Sequence, residues 1–228
     1  TKMDFVTALK PRTSYVDKID TQNAQAFFVD AMGVEYLSFI QQKCSKYGLS
    51  TNIFCARCEL PSLTVFNKEF VDTLKDRGCP ISDIKDLDDI KHHGKDSFDY
   101  EKEKTPIYLI KELEIIDDLL TKIKASICAG SYNKAIIISD HGASRLAVLH
   151  ETENIWSMET KGEHSGRCCK ISEINDKPDF AIEESEYWVL ANYDRFKGSR
   201  RANVEVHGGA SIEEVAVAII EITQKTPN

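Results

Sequence analysis

Ala135-Ile136-Ile137-Ile138-Ser139-Asp140-His141-Gly142 is the stretch on which the reading of this chain turns. The three isoleucines form a continuous β-branched run bounded by polar residues, as a central strand of an α/β sheet requires. Asp140 and His141 follow at once, and Gly142 permits a tight turn. An acid at the end of an apolar strand is costly to bury unless it is paired or metal-bound. Adjacent Asp and His at such a point can reach two neighbouring metal ions.

Two other predicted strands also end in candidate ligands. Gln25-Ala26-Phe27-Phe28-Val29 leads into Asp30, and Asn203 to Val206 leads into His207 before Gly208-Gly209. Thr51 to Ala56, Arg145 to Leu149, and Glu186 to Asn192 (with Tyr187 and Trp188) read as further strands. Helices are predicted over Val34 to Cys44, with Gly48 marking the end, and over Val65 to Leu74. Thr105-Pro106 starts a long helix that runs to about Ile127 and stops at Gly130. Ser211-Ile212-Glu213-Glu214 is a capping box that predicts a helix from Ile212 to about Ile222. The alternation of strands and helices predicts a mostly parallel sheet covered by helices, with ligands collecting at the strand ends.

The remaining segments carry less pattern. Residues 1 to 22 are polar, and the tail Gln224-Lys225-Thr226-Pro227-Asn228 reads as frayed. Residues 80 to 104 are strongly charged and read as a solvated connection, although they hold two of the six histidines. Residues 150 to 180 read as an insertion or long loop. A length of 228 residues suits one α/β domain, and 42% apolar with 29% charged residues is ordinary for a folded protein. The formal charge of -8 gives no general attraction to nucleic acid or anionic membranes. Arg195, Lys197, Arg200 and Arg201 form the best local basic patch. No run approaches the roughly 18 to 20 apolar residues of a membrane span, and no signal peptide is visible. The opening at Thr1 fits a fragment of a longer protein.

Seven cysteines at irregular spacing predict reduced thiols and a cytoplasmic location. Cys55-Ala-Arg-Cys58 could supply half a zinc site, but Cys168-Cys169 is a poor complement. A CxxC without metal is the expected state.

Taken together, the motifs resemble the alkaline phosphatase superfamily. Ser139-Asp140-His141-Gly142 is similar to its second metal motif, and Phe28-Val29-Asp30-Ala31-Met32 to its first. Leu60-Pro61-Ser62-Leu63-Thr64 resembles the loop that carries its Thr or Ser nucleophile. His207-Gly208-Gly209-Ala210-Ser211-Ile212-Glu213-Glu214-Val215 is most similar to the closing motif of the PglZ branch, found in BREX-type phage defence. The resemblance covers roughly residues 24 to 222. It implies a three-layer α/β sandwich with a mostly parallel sheet, in one domain, with 150 to 180 as a reduced cap.

The resemblance also implies a ligand set. One ion would be held by Asp30, Asp140, His141 and the Thr64 oxygen. A second would be held by His207 plus an acid and a histidine four residues apart. His92 with Asp96 is preferred, while Asp88 with His92 and Asp89 with His93 have the same spacing. The mixed N and O donors suit zinc or manganese. Thr64, with Ser62 as the alternative, would attack phosphorus. Arg145, Arg200 and Arg201 are candidates for substrate phosphate. The expected activity is that of a phosphodiesterase, phosphatase or nuclease acting on a phosphate ester, nucleotide or nucleic acid. It would work beside other proteins of a defence system, with no membrane partner. The alternative is a degenerate phosphatase-like scaffold in a defence complex.

Overall fold

The computed structural model describes residues 8–93, 105–150, 152–159, 166–199 and 204–226. Its centre is a five-stranded sheet built from β1 (Ala24–Val29), β2 (Leu49–Arg57), β3 (Ile81–Ile84), β4 (Lys134–Ile138) and β10 (Ala216–Gln224). The strand order is β2-β10-β4-β1-β3. β1 is parallel to β3 and to β4, whereas β10 is antiparallel to both β2 and β4. The sheet is therefore mixed, which corrects the expectation of a mostly parallel one. A single reversed strand, β10, sits between two that run the same way, so half of the ladders are antiparallel.

Alternation along each central strand sends side chains to two cores. On one face Ala26, Phe28, Ile136, Ile138, Val217 and Ile219 pack with Val16 of α1 (Thr13–Val16) and with Phe70 and Leu74 of α3 (Glu69–Asp76). On the other, Phe27, Val29, Ala135, Ile137, Ala218 and Ile220 meet Ile40 of α2 (Leu37–Lys46), Leu87 of α4 (Asp86–His93) and Ile116, Leu120 and Ile123 of α5 (Tyr108–Cys128). The sheet is thus α/β in class, with helices on both faces.

Several local expectations change. The capping box at Ser211 does start a helix, α7 (Ile212–Val215), and the Glu214 carboxylate accepts the Ser211 backbone N–H at 3.0 Å. After one turn the chain becomes β10 rather than continuing helical to Ile222. Its Val and Ile are buried on both faces, where β-branched side chains fit a sheet, and a short apolar run has no period that separates the two states. Arg145 to Leu149 is helical, with α6 at Leu146–Leu149, rather than a strand. Val206 makes an isolated antiparallel bridge to Ser144, while Asn203 lies outside the described residues. The charged segment after Pro80 is not a plain connection, since it supplies β3 and α4 before the described chain breaks at His93.

Residues 150 to 180, expected as a loop, contribute strands as well. β5 (Glu153–Ser157) pairs with β9 (Arg195–Lys197), and β8 (Tyr187–Leu190) lies between β6 (Cys168–Lys170) and β7 (Ala181–Glu184). These strands enclose a small core of Met158, Cys169, Ile174, Trp188, Leu190 and Phe196.

Candidate metal centre

Register brings the first two acids level. Phe28 pairs with Ile138, so Asp30 and Asp140 each emerge two residues beyond the pair. β3 ends at the same edge and leads into α4. Ala216, the first residue of β10, pairs with Arg57, the last of β2. The loop that follows β2 and the segment that precedes β10 therefore reach this edge too, carrying Thr64 and His207.

Asp30, Asp140 and His141 form one group of donors that could hold an ion. His141 Nε2 is 3.2 Å from Asp140 Oδ2 and 4.0 Å from Asp30 Oδ1. Thr64 Oγ1 lies 3.1 Å from His141 Nε2 and 3.4 Å from Asp30 Oδ1. His141 Nδ1 donates to the Gly142 carbonyl at 3.0 Å, which leaves Nε2 as the lone-pair nitrogen facing the acids. Asp140 Oδ1 accepts the Ala31 N–H at 3.2 Å, while Oδ2 is buried with no hydrogen-bond partner. Ala31 holds φ at 57°, a left-handed conformation unfavourable for alanine that the surrounding contacts must enforce. Gly142 is required by close approach, because a Cβ there would meet the Glu213 carbonyl oxygen at 2.1 Å.

Asp88, His92 and His207 form the second group. His92 Nε2 is 2.9 Å from His207 Nε2 and 3.3 Å from Asp88 Oδ1, and His207 Nε2 is 3.9 Å from Asp88 Oδ1. His207 Nδ1 donates to the Ser62 carbonyl at 3.1 Å, so its Nε2 also presents a lone pair. The His141 and His207 rings stack with centroids 4.1 Å apart, which sets the two groups side by side.

The electrostatics fit resident cations. Burial, with the charges of Asp140 and Asp88, pushes Asp30 up to about 8. Burial pushes Asp140 up as well. It lowers His141 to about 4, and burial with the neighbouring imidazoles lowers His207 to about 3. Burial also acts to raise Asp88, but its bond to His92 and the nearby imidazoles outweigh that and lower it. The bond to Asp88 raises His92. Two buried carboxylates, an orphaned carboxylate oxygen and ring nitrogens turned toward one another are expensive without a cation and well matched to one.

Among the sequence candidates, Asp30, Thr64, Asp140, His141, His92 and His207 converge. Of the open middle pairs, Asp88 with His92 is the one found beside His207, while Asp96 lies outside the described residues, as do Arg200 and Arg201. Ser62 is buried, donates to the Gly209 carbonyl at 2.7 Å and accepts the Gly208 N–H at 2.9 Å, so it ties two loops together. Arg145 donates to Tyr108 Oη at 2.5 Å and pairs with Glu205, so its guanidinium is engaged with protein groups. Cys55 is exposed and Cys58 buried, and among the described residues no metal-competent group contains a cysteine.

Several supporting residues carried little sequence signal. Arg12, in the polar N-terminal stretch, is buried and donates to the carbonyls of Ser139 (3.1 Å), Asp140 (2.6 Å) and Asn67 (2.8 Å). Asn67 Nδ2 donates to the carbonyls of Glu59, Pro61 and Leu63, knotting the Thr64 loop. Lys91, buried on α4 beside His92, forms 2.9 Å ion pairs with buried Glu205 and with Glu35. Glu205 N–H also donates to the Lys91 carbonyl at 3.0 Å. This buried pair registers α4, with Asp88 and His92, against the segment bearing His207. The helical spacing of Leu87, Ile90 and Lys91 was the available hint that this face turns inward.

No known protein-family model matches this chain, and no curated protein matches it in sequence.

Proposed function

We propose that this chain is a metal-dependent phosphate-ester hydrolase with Thr64 as its nucleophile, built on an alkaline-phosphatase-like arrangement. The observation that carries this reading is convergence: two three-residue donor groups meet at one sheet edge, with the Thr64 hydroxyl 3.1 Å from His141. Asp30, Asp140, His141 and Thr64 would hold one divalent ion, and Asp88, His92 and His207 the other. Zinc or manganese suits this mix of carboxylate and imidazole donors. When bound, such ions neutralise phosphate oxygens and favour ionised oxygen nucleophiles and leaving groups.

The chain's own groups do the rest. His141 and His207 present Nε2 because their Nδ1 protons are held by the Gly142 and Ser62 carbonyls. Arg12 and Asn67 fix the Thr64 loop against the Asp140 backbone, which positions the attacking oxygen. Attack by Thr64 Oγ1 forms a Thr–O–P bond and breaks the bond from phosphorus to the leaving alcohol. Water then cleaves the Thr–O–P bond, returning the hydroxyl and releasing phosphate or a monoester. Acting alongside other proteins of a phage-defence system is the context that the PglZ resemblance supplies.

The deciding experiment is a crystal grown with zinc or manganese, read by anomalous scattering, beside an assay on bis(p-nitrophenyl) phosphate. Two ions in contact with Thr64 and His207, with turnover lost in Thr64→Ala, are expected. A well-ordered edge that takes up no ion at millimolar metal would sink the hydrolase reading and favour the scaffold.

A further inference from the structure

A cleft of about 390 Å³ opens at Thr64 and Asp30 and runs between α3 and β3. That volume falls in the roughly 300 to 1,000 Å³ range of ligand pockets. One wall is Lys68, Val71, Asp72 and Lys75, whose spacing places them on one helical face. The other is Ile81, Asp83 and Lys85, alternate positions along and just past β3. Three exposed lysines, set against Asp72 and Asp83, thus line one cleft of a chain whose net charge is -8. Lys85 is 3.6 Å from Asp83, an exposed pair that a bound anion can displace at little cost. None of the three lysines belongs to the donor groups around Thr64, so bond cleavage there gives them no task. Beyond Asp30, which belongs to the donor group, the walls carry three lysines against Asp72 and Asp83, and this small positive excess leading away from a nucleophile is suited to an anionic group elsewhere on the same substrate.

We propose that this cleft binds a second phosphate of the substrate, so that the preferred ester carries at least one phosphate beyond the one attacked. The inference rests on Thr64 marking the reaction centre. A nucleic-acid strand and a small bisphosphorylated molecule offer the same chemistry, and the test separates them.

The probes are a fluorescent hexathymidylate with phosphorothioate linkages and thymidine 3′,5′-bisphosphate, with binding measured on the manganese-loaded chain. The comparison is wild type against Lys68→Ala/Lys75→Ala/Lys85→Ala, with unfolding curves confirming that the variant folds. The triple variant should weaken binding at least about tenfold. For the hexamer, its log–log salt slope should fall by about 2, at about 0.7 per phosphate contact on a single strand. Weakening on both probes identifies any second phosphate as sufficient, and weakening on the hexamer alone identifies a strand. Equal binding by wild type and variant for both probes overturns the proposal. In turnover, the loss on a cleavable hexamer should exceed the loss on bis(p-nitrophenyl) phosphate at least about tenfold, and equal losses would likewise overturn it. If wild type cleaves no ester but binding still depends on the lysines, the hydrolase reading fails while the cleft stands as a polyanion site.

Discussion

At the scale of single residues, the site is strained by its own charge. Asp30 and Asp140 are both buried, and Asp140 Oδ2 has no hydrogen-bond partner. Asp140→Asn keeps the Oδ1 acceptor for Ala31 and turns an amide toward the His141 lone pair. In chelator this variant should melt about 2 to 4 °C higher than wild type, equivalent to about 1 kcal/mol for a chain of this size. With metal present it should gain nothing, because a ligand is gone, and thermal unfolding with and without manganese reads both arms. Thr64 gives a separate prediction: Thr64→Ala should lower kcat at least about a thousandfold, whereas Thr64→Ser retains turnover. Comparable activity in the two variants would remove Thr64 from the chemistry.

At the scale of elements, the question is what holds α4 and the long helix α5 against the site. Lys91 and Glu205 join α4 to the His207 segment inside the protein. Replacing Lys91 by Met leaves buried Glu205 with Arg145 as its remaining ion-pair partner and should cost about 3 kcal/mol in a urea melt, the low end for breaking a buried pair. It should also weaken the second ion more than the first, since Asp88 and His92 ride on α4. A loss shared equally by both ions would contradict that placement. On α5, Glu112 accepts the Tyr36 hydroxyl at 2.7 Å, and burial, reinforced by the Glu205 charge, pushes its carboxyl up to about 7. Its folded pKa thus exceeds the ordinary value of 4.5. Its contribution to stability is complete below about 4.5 and is lost as pH rises through about 7. Denaturant melts from pH 4.5 to 7.5 should show a shallower decline in Glu112→Gln than in wild type, and parallel curves would argue against a protonated Glu112.

At the scale of the whole molecule, two ions that bind the folded state alone should stabilise it by mass action. At a hundredfold excess over Kd each ion contributes about 2.7 kcal/mol, so chelation of both should lower Tm by roughly 10 to 20 °C. An unchanged Tm would mean that the edge does not bind metal. Much of this edge was legible in the sequence. The triple-isoleucine run before Asp140-His141, the apolar run before Asp30 and the Gly-Gly after His207 announce strand ends and turns through local chemistry, and a chain alternating strand with helix brings such ends together. What adjacency in sequence cannot encode came from tertiary structure. The burial of β10 on both faces turned a predicted helix into the reversed strand that makes the sheet mixed. Among the described residues, the packing of Leu87 on α4 set Asp88 and His92, rather than Asp89 and His93, beside His207, although the two pairs have equal spacing. Arg12, Lys91 and Glu205 look like ordinary surface charges until the fold buries them, because the cost of burying a charge and the partner that offsets it are properties of space rather than of sequence.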